Sequence, residues 1–222
     1  VERVLRQALA VLAPPPILTV SQWADRFRKL SAESSAEPGQ WDTARAEYQR
    51  GILDALSDPE VMTVVVMSSA QVGKTEMVLN MLGYHIHQDP APILCVMPTV
   101  DMGKAFAKDR VDVMVRDSPA LRGIIKGAGP RKGGSTQLHK LFAGGHLTIT
   151  GANSPAGLAS RPCRFILLDE VDRFPLSSGK EGDPVNLAIK RSTTFFNRKI
   201  VITSTPTDRD ISRINMEFEN SD

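Results

Sequence analysis

Val61-Met62-Thr63-Val64-Val65-Val66-Met67, followed by Ser68-Ser69-Ala70-Gln71-Val72-Gly73-Lys74-Thr75, decides the fold. The apolar, β-branched run predicts a buried strand. The next eight residues read as a phosphate-binding loop closing on Gly-Lys-Thr, and the amphipathic run from Glu76 to His87 reads as the helix that the loop opens. That order is what the chemistry needs. Successive backbone N–H groups and a helix N-terminus make an anion cradle, so Ser69, Ala70, Gln71, Val72, Gly73, Lys74, Thr75 and Glu76 form the expected nucleotide-binding stretch. Lys74 is expected to reach the outer phosphates and the Thr75 hydroxyl to hold Mg²⁺. Gly-Lys-Thr alone recurs by chance; the strand before it and the helix after it supply the context. One position is irregular, since Ser68 stands where the motif ordinarily opens with glycine.

Phe165-Ile166-Leu167-Leu168-Asp169-Glu170 is a second apolar strand, ending in two adjacent carboxylates. At the carboxyl ends of parallel strands, side chains face the ligand crevice. Asp169 is therefore expected on the metal side opposite Thr75, and Glu170 beside the water that attacks the γ-phosphate. A glutamate directly after the metal-site aspartate favours hydrolysis over simple nucleotide binding. An Asp-Glu pair capping a strand before a solvated turn is the plainer alternative.

With 222 residues, 41% of them hydrophobic, the chain suffices for one sizeable domain with a full core. A formal net charge of +2 neither demands nor excludes a nucleic-acid partner. Cys95 and Cys163 lie in apolar surroundings outside any CxxC or Cys/His cluster, which argues against a disulfide framework or a structural zinc. No apolar stretch is long enough to span a membrane and no signal-peptide pattern is present, so a soluble intracellular protein is expected. The start at Val1 and the polar end read as a piece of something longer.

Residues 2–12 have helical spacing and stop at Pro14-Pro15-Pro16. Ser21 is expected to cap a helix through Leu30, with a polar loop from Ser31 to Gln40 and a helix from Thr43 to Leu56. After the phosphate-loop helix come a strand Ile93 to Met97, a helix from about Val100 to Arg116, and a Gly144-Gly145 hairpin of Leu138 to Phe142 with His146 to Thr150. Beyond the acidic strand follow a helix near Pro184 to Thr194, a strand Lys199 to Thr203 and a helix beginning near Asp210. Strands alternating with helices predict an α/β fold, a P-loop NTPase with a doubly wound, mainly parallel sheet flanked by helices and an antiparallel hairpin at an edge. The expected division is an N-terminal helical or extended arm over 1–40 and the ATPase domain over 41–222.

With these motifs in view, the chain resembles the ATPase domain of the large subunit of tailed-phage DNA-packaging terminases, of the lambda-type, GpA-like group. The likeness runs from Ser21-Gln22-Trp23-Ala24-Asp25 to the end. It rests on Ser69-Ala70-Gln71-Val72-Gly73-Lys74-Thr75-Glu76, Met97-Pro98-Thr99, and Ala152-Asn153-Ser154-Pro155-Ala156-Gly157-Leu158-Ala159-Ser160-Arg161-Pro162. Leu168-Asp169-Glu170-Val171-Asp172-Arg173-Phe174-Pro175 and Ser204-Thr205-Pro206-Thr207 complete it. The resemblance implies an ATP- and Mg²⁺-dependent motor that drives double-stranded DNA into a procapsid. Its implied partners are the portal protein, the small terminase subunit and further copies in a ring, in the host cytoplasm and transiently at the portal, with no membrane. It also implies that Ser204, Thr205 and Pro206 are the coupling segment that senses the γ-phosphate. Tyr48 and Gln49 match the adenine-side motif: a tyrosine ring can stack on a base and a glutamine amide can pair with its edge. The alternative for that pair is an exposed position on the helix Thr43 to Leu56.

Two departures follow. Many relatives carry an arginine inside the phosphate loop, where Ala70-Gln71 offers none. Arg161 is the candidate replacement, acting in cis or on a neighbouring subunit, against a plain pairing with a local carboxylate. The family's nuclease is expected to be absent from this chain. A helicase-like P-loop motor and a nucleotide-gated DNA-binding module with little turnover remain as alternatives. The basic, glycine-rich loop Lys126 to Gly134 reads either as a solvated loop or as a DNA-phosphate contact. His85 and His87 lack ligand-spaced partners and read as partly buried or surface residues rather than metal ligands. Asp172 and Arg173 either position Glu170 or pair with each other.

Overall fold

A computed structural model describes residues 17–125, 135–159 and 161–221. The expected helix over 2–12, the Pro14-Pro15-Pro16 breaker, the loop Lys126 to Gly134 and Ser160 lie outside the described residues. Six strands form one sheet in the order β3-β8-β7-β4-β6-β5: β3 (Thr63–Met67), β8 (Lys199–Ser204), β7 (Phe165–Asp169), β4 (Ile93–Met97), β6 (Gly145–Gly151) and β5 (His139–Phe142). All neighbours run parallel except β5 against β6, the expected edge hairpin. A separate two-stranded ribbon pairs β1 (Lys29–Leu30) with β2 (Gly39–Gln40).

Period-two alternation splits the strands between two cores. Ile93, Cys95, Met97, Phe165, Leu167 and Val201 face one side, covered by α1 (Val20–Phe27), α2 (Arg50–Ala55) and α3 (Lys74–His87). Leu94, Val96, Ile166, Leu168, Ile200 and Ile202 face the other, with Leu158, Val185 and Ile214 packed on them. Those three side chains come from α6 (Pro155–Ala159), α7 (Pro184–Ile189) and α8 (Arg213–Glu219). Because β4, β7 and β8 are covered on both faces, every residue in them is buried.

The helix expected over Val100 to Arg116 is present as α4 (Val100–Phe106), a π turn over Ala107–Val111 and α5 (Asp112–Asp117). Two expectations are corrected. The cap of α1 is Thr19, not Ser21: Thr19 and Gln22 form a reciprocal capping box, and the helix stops at Phe27 because Lys29 and Leu30 pair with β2. The helix over Thr43 to Leu56 is broken at Ala46 (φ −138°, ψ 58°), giving a 3₁₀ stretch Thr43–Gln49 before α2. Val20, Trp23 and Ala24 are fully buried, Trp23 packs where Gly83 of α3 leaves no Cβ, and its indole donates to His87 Nδ1 at 3.0 Å. His85 is also structural, stacked on Phe165 with ring centroids 3.6 Å apart. Cys95 and Cys163 are buried and free.

Candidate nucleotide site

Parallel register brings the motifs together. Met67 pairs with Ser204 and Asp169 with Thr203, so the phosphate loop, the acidic pair and the Ser204-Thr205 segment all leave the sheet at its carboxyl end. β8 lies between the loop strand and the acidic strand, which places Thr205 between Lys74 and Glu170. Lys74 Nζ donates to Thr205 Oγ1 at 2.8 Å and to Ser69 O at 2.9 Å, and stands 4.0 Å from Glu170 Oε1.

The loop has the conformation its task requires. Gln71 (φ 63°) and Gly73 (φ 81°) are left-handed, and alternating backbone handedness turns successive N–H groups into a common concavity. Gly73 is doubly required, since a Cβ there would meet Gln49 Nε2 at 2.6 Å. The Ser68 hydroxyl is buried without a hydrogen-bond partner among the described residues.

Tyr48 and Gln49 meet this loop directly. Tyr48 Oη donates to Val72 O at 2.9 Å and Gln49 Nε2 to the same oxygen at 3.1 Å. Their environments differ, with Tyr48 63% exposed and Gln49 only 2%. Gln49 Oε1 is a buried acceptor unpartnered among the described residues. Glu76 opens α3, and its carboxylate is bonded to Arg28 Nη2 at 2.9 Å, within a pair whose arginine is 3% exposed. Removing one partner of such a pair strands a buried charge, so the pair secures the start of α3.

Asp169 is buried and accepts from Thr203 Oγ1. Burial pushes its carboxyl above the ordinary range, against the pull of the Thr203 bond and of Lys74. A buried carboxylate whose charge is disfavoured in this way suits a cation. Among the described residues no group of three His, Cys, Asp or Glu could hold a metal by itself. Glu170 (φ 58°, ψ 51°) is a left-handed non-glycine residue at the turn, a conformation that costs about 1–2 kcal/mol and tends to cluster at functional sites.

Asp172 does not pair with Arg173. Its carboxylate accepts from Thr207 N and Thr207 Oγ1, both at 2.9 Å, and from Ile214 N at 2.8 Å. Arg173 Nε instead stands 4.0 Å from Glu170 Oε2. Arg161 is exposed and far from this site: its Nη1 lies 3.1 Å from His139 Nε2, on the strand at the opposite edge of the sheet. Three strand spacings, about 14 Å, separate that edge from β7, after which Glu170 stands, and five separate it from β3. Thr203 and Arg28 were not foreseen. Both act through residues remote in sequence, and neither belongs to a local motif.

The model of the ATPase domain of the phage terminase large subunit gpA matches residues 35–222. The chain belongs to that family. It is 30% identical over 199 residues to the terminase large subunit of Enterobacteria phage P21, covering 89% of this chain and 30% of that protein. It is 28% identical over 211 residues to the terminase large subunit of Escherichia phage lambda, covering 95% of this chain and 33% of that one. The chain thus spans about a third of the length of these relatives. The fold is shared with the crystal structure of the HK97 bacteriophage large terminase, at a TM-score of 0.71 and 15% identity, over 91% of this chain and 41% of that one. Among the described residues of this terminase ATPase domain no helix is long and apolar enough to cross a membrane.

Proposed function

We propose that this terminase ATPase domain hydrolyses ATP to drive double-stranded DNA into a procapsid. The observation that carries the reading is the meeting of Lys74, Thr205 and Glu170, from three elements, within 4.0 Å of the lysine ammonium. The N–H groups of residues 69–75 bind the phosphates, and Lys74 exchanges a protein acceptor for a phosphate oxygen. Thr75 and Asp169 would hold Mg²⁺, which supplies charge neutralisation at the phosphates. Glu170 takes a proton from the attacking water as its oxygen bonds to the γ-phosphorus and the bond to the leaving ADP oxygen breaks. Such a base contributes roughly 10²–10⁴ in rate.

On the base side, the exposed Tyr48 ring offers a stacking surface for adenine, and Gln49, bonded through Nε2 to the same Val72 carbonyl as Tyr48, lies beside it. Thr205, bonded to Lys74 and flanked by Ser204 and Pro206, is placed to sense the phosphate. Arg161, exposed at the far edge, acts on the site of a neighbouring copy in a ring, which accounts for the arginine missing from the phosphate loop. The portal, the small terminase subunit and DNA in the host cytoplasm are the partners that the family points to. Glu170→Gln tests the assignment. ATP binding stays within about threefold while turnover falls by roughly 10²–10⁴; unchanged turnover removes Glu170 as the base.

A further inference from the structure

We infer that Thr205-Pro206-Thr207 is a stiff strut and that Asp172 is the positioning residue through which the phosphate state at Lys74 reaches α8. The inference rests on the nucleotide site proposed above.

One end of the strut is Thr205, whose hydroxyl accepts from Lys74 Nζ at 2.8 Å. The other end is Thr207, whose N–H and hydroxyl both donate to Asp172 Oδ2 at 2.9 Å. Between them Pro206 fixes its own φ and restricts Thr205 to extended conformations, so a shift at one end is not absorbed by backbone rotation. Asp172 is also tied to β8, its N–H donating to Ser204 Oγ at 3.2 Å. Its second carboxylate oxygen accepts from Ile214 N at 2.8 Å, one of the open donors in the first turn of α8. Ile214 is fully buried in the core beside Val171 and Leu168. A single carboxylate therefore joins the strut to the helix, two residues from Glu170.

Phosphate binding draws Lys74 away from Thr205, and the strut keeps only its Asp172 anchor. The joint at Asp172 then loosens, and α8 with it. Asp172→Asn breaks the joint chemically, because an amide NH₂ turned to either Thr207 N or Ile214 N faces donor with donor. Pro206→Gly breaks it mechanically and leaves the carboxylate intact.

The test is hydrogen exchange at the amides of residues 214–219, with and without a non-hydrolysable ATP analogue, alongside the analogue's affinity and the melting temperature of each protein. In the unmodified protein the analogue accelerates exchange there by about fivefold or more, the lower range of allosteric coupling. In both variants the response falls below about twofold while affinity stays within about threefold; a purely structural role would lower melting temperature yet leave the response. Binding without any change at α8, or a full response in the well-folded Pro206→Gly protein, overturns the inference and leaves the site standing. Failure of the analogue to bind the unmodified protein overturns the site and the inference together.

Discussion

Two buried lysines at opposite ends of the sheet bond in similar ways to opposite purpose. Lys74, at the carboxyl end, is 7% exposed and donates to Ser68 O, Ser69 O and Thr205 Oγ1. Lys199, at the amino end of β8, is 6% exposed and donates to the carbonyls of Ala55, Asp58 and Val61. Lys199 bonds the carbonyls at the end of α2 and in the turn after it, one of which, Asp58 O, also accepts from Val61 N. The partners of Lys74 belong instead to the phosphate loop and to the segment after β8, with the Glu170 carboxylate 4.0 Å away and Asp169 buried against its charge. The contrast teaches that burial of a lysine does not by itself mark function. What distinguishes the Lys74 end is whom the lysine meets: Thr205 after β8 and, 4.0 Å away, Glu170 after β7, both at the carboxyl end of the sheet.

Exchanging each lysine separates the two roles. Lys74→Ala removes the charge that meets the phosphates and lowers ATP affinity by roughly a hundredfold, the worth of about two charge-assisted bonds, with little change in melting temperature. Titration with a fluorescent ATP analogue reads it, and intact affinity would place the phosphates elsewhere. Lys199→Met does the reverse. It leaves nucleotide affinity in place and costs about 2 kcal/mol of stability, because the Ala55 and Val61 carbonyls lose the Lys199 donor while Asp58 O keeps Val61 N; denaturant unfolding measures it. A smaller effect belongs to Asp89, also at the amino end. Burial pushes its carboxyl up, but bonds from His85 and from Arg164 at 2.8 Å outweigh that and hold it at about 2. Since this lies below its unfolded value of 3.8, the stability it contributes is present above pH 4 and is lost as pH falls towards 2. After allowance for solvent screening that is about 1 kcal/mol, and Asp89→Asn should flatten this limb of the stability curve.

The sheet and both motif strands were legible because each is carried by a contiguous run: Val61 to Met67, Ile93 to Met97 and Phe165 to Glu170 read as strands, and Thr63–Met67, Ile93–Met97 and Phe165–Asp169 are strands. Contacts between distant segments were not. Nothing near Asp172 announces Thr207 or Ile214, and nothing near Glu76 announces Arg28. The break at Ala46 escaped for the same reason. Helical spacing over Thr43 to Leu56 is real, yet Gln49 is buried against the phosphate loop while its neighbour Tyr48 remains exposed. Arg161 was singled out by its motif, whereas its place across the sheet required the strand order.

That placement makes the account open to one direct test. Arg161→Ala and Glu170→Gln are each assayed for ATP hydrolysis alone, then mixed at constant total concentration under conditions where copies associate. An arginine finger is worth roughly 10³–10⁵ in turnover, so each variant alone is nearly silent. In the mixture a Glu170→Gln copy lends Arg161 to an Arg161→Ala copy that keeps its own Glu170, and hydrolysis returns. Mixtures that associate but remain as inactive as their components would contradict a site completed by a neighbouring copy.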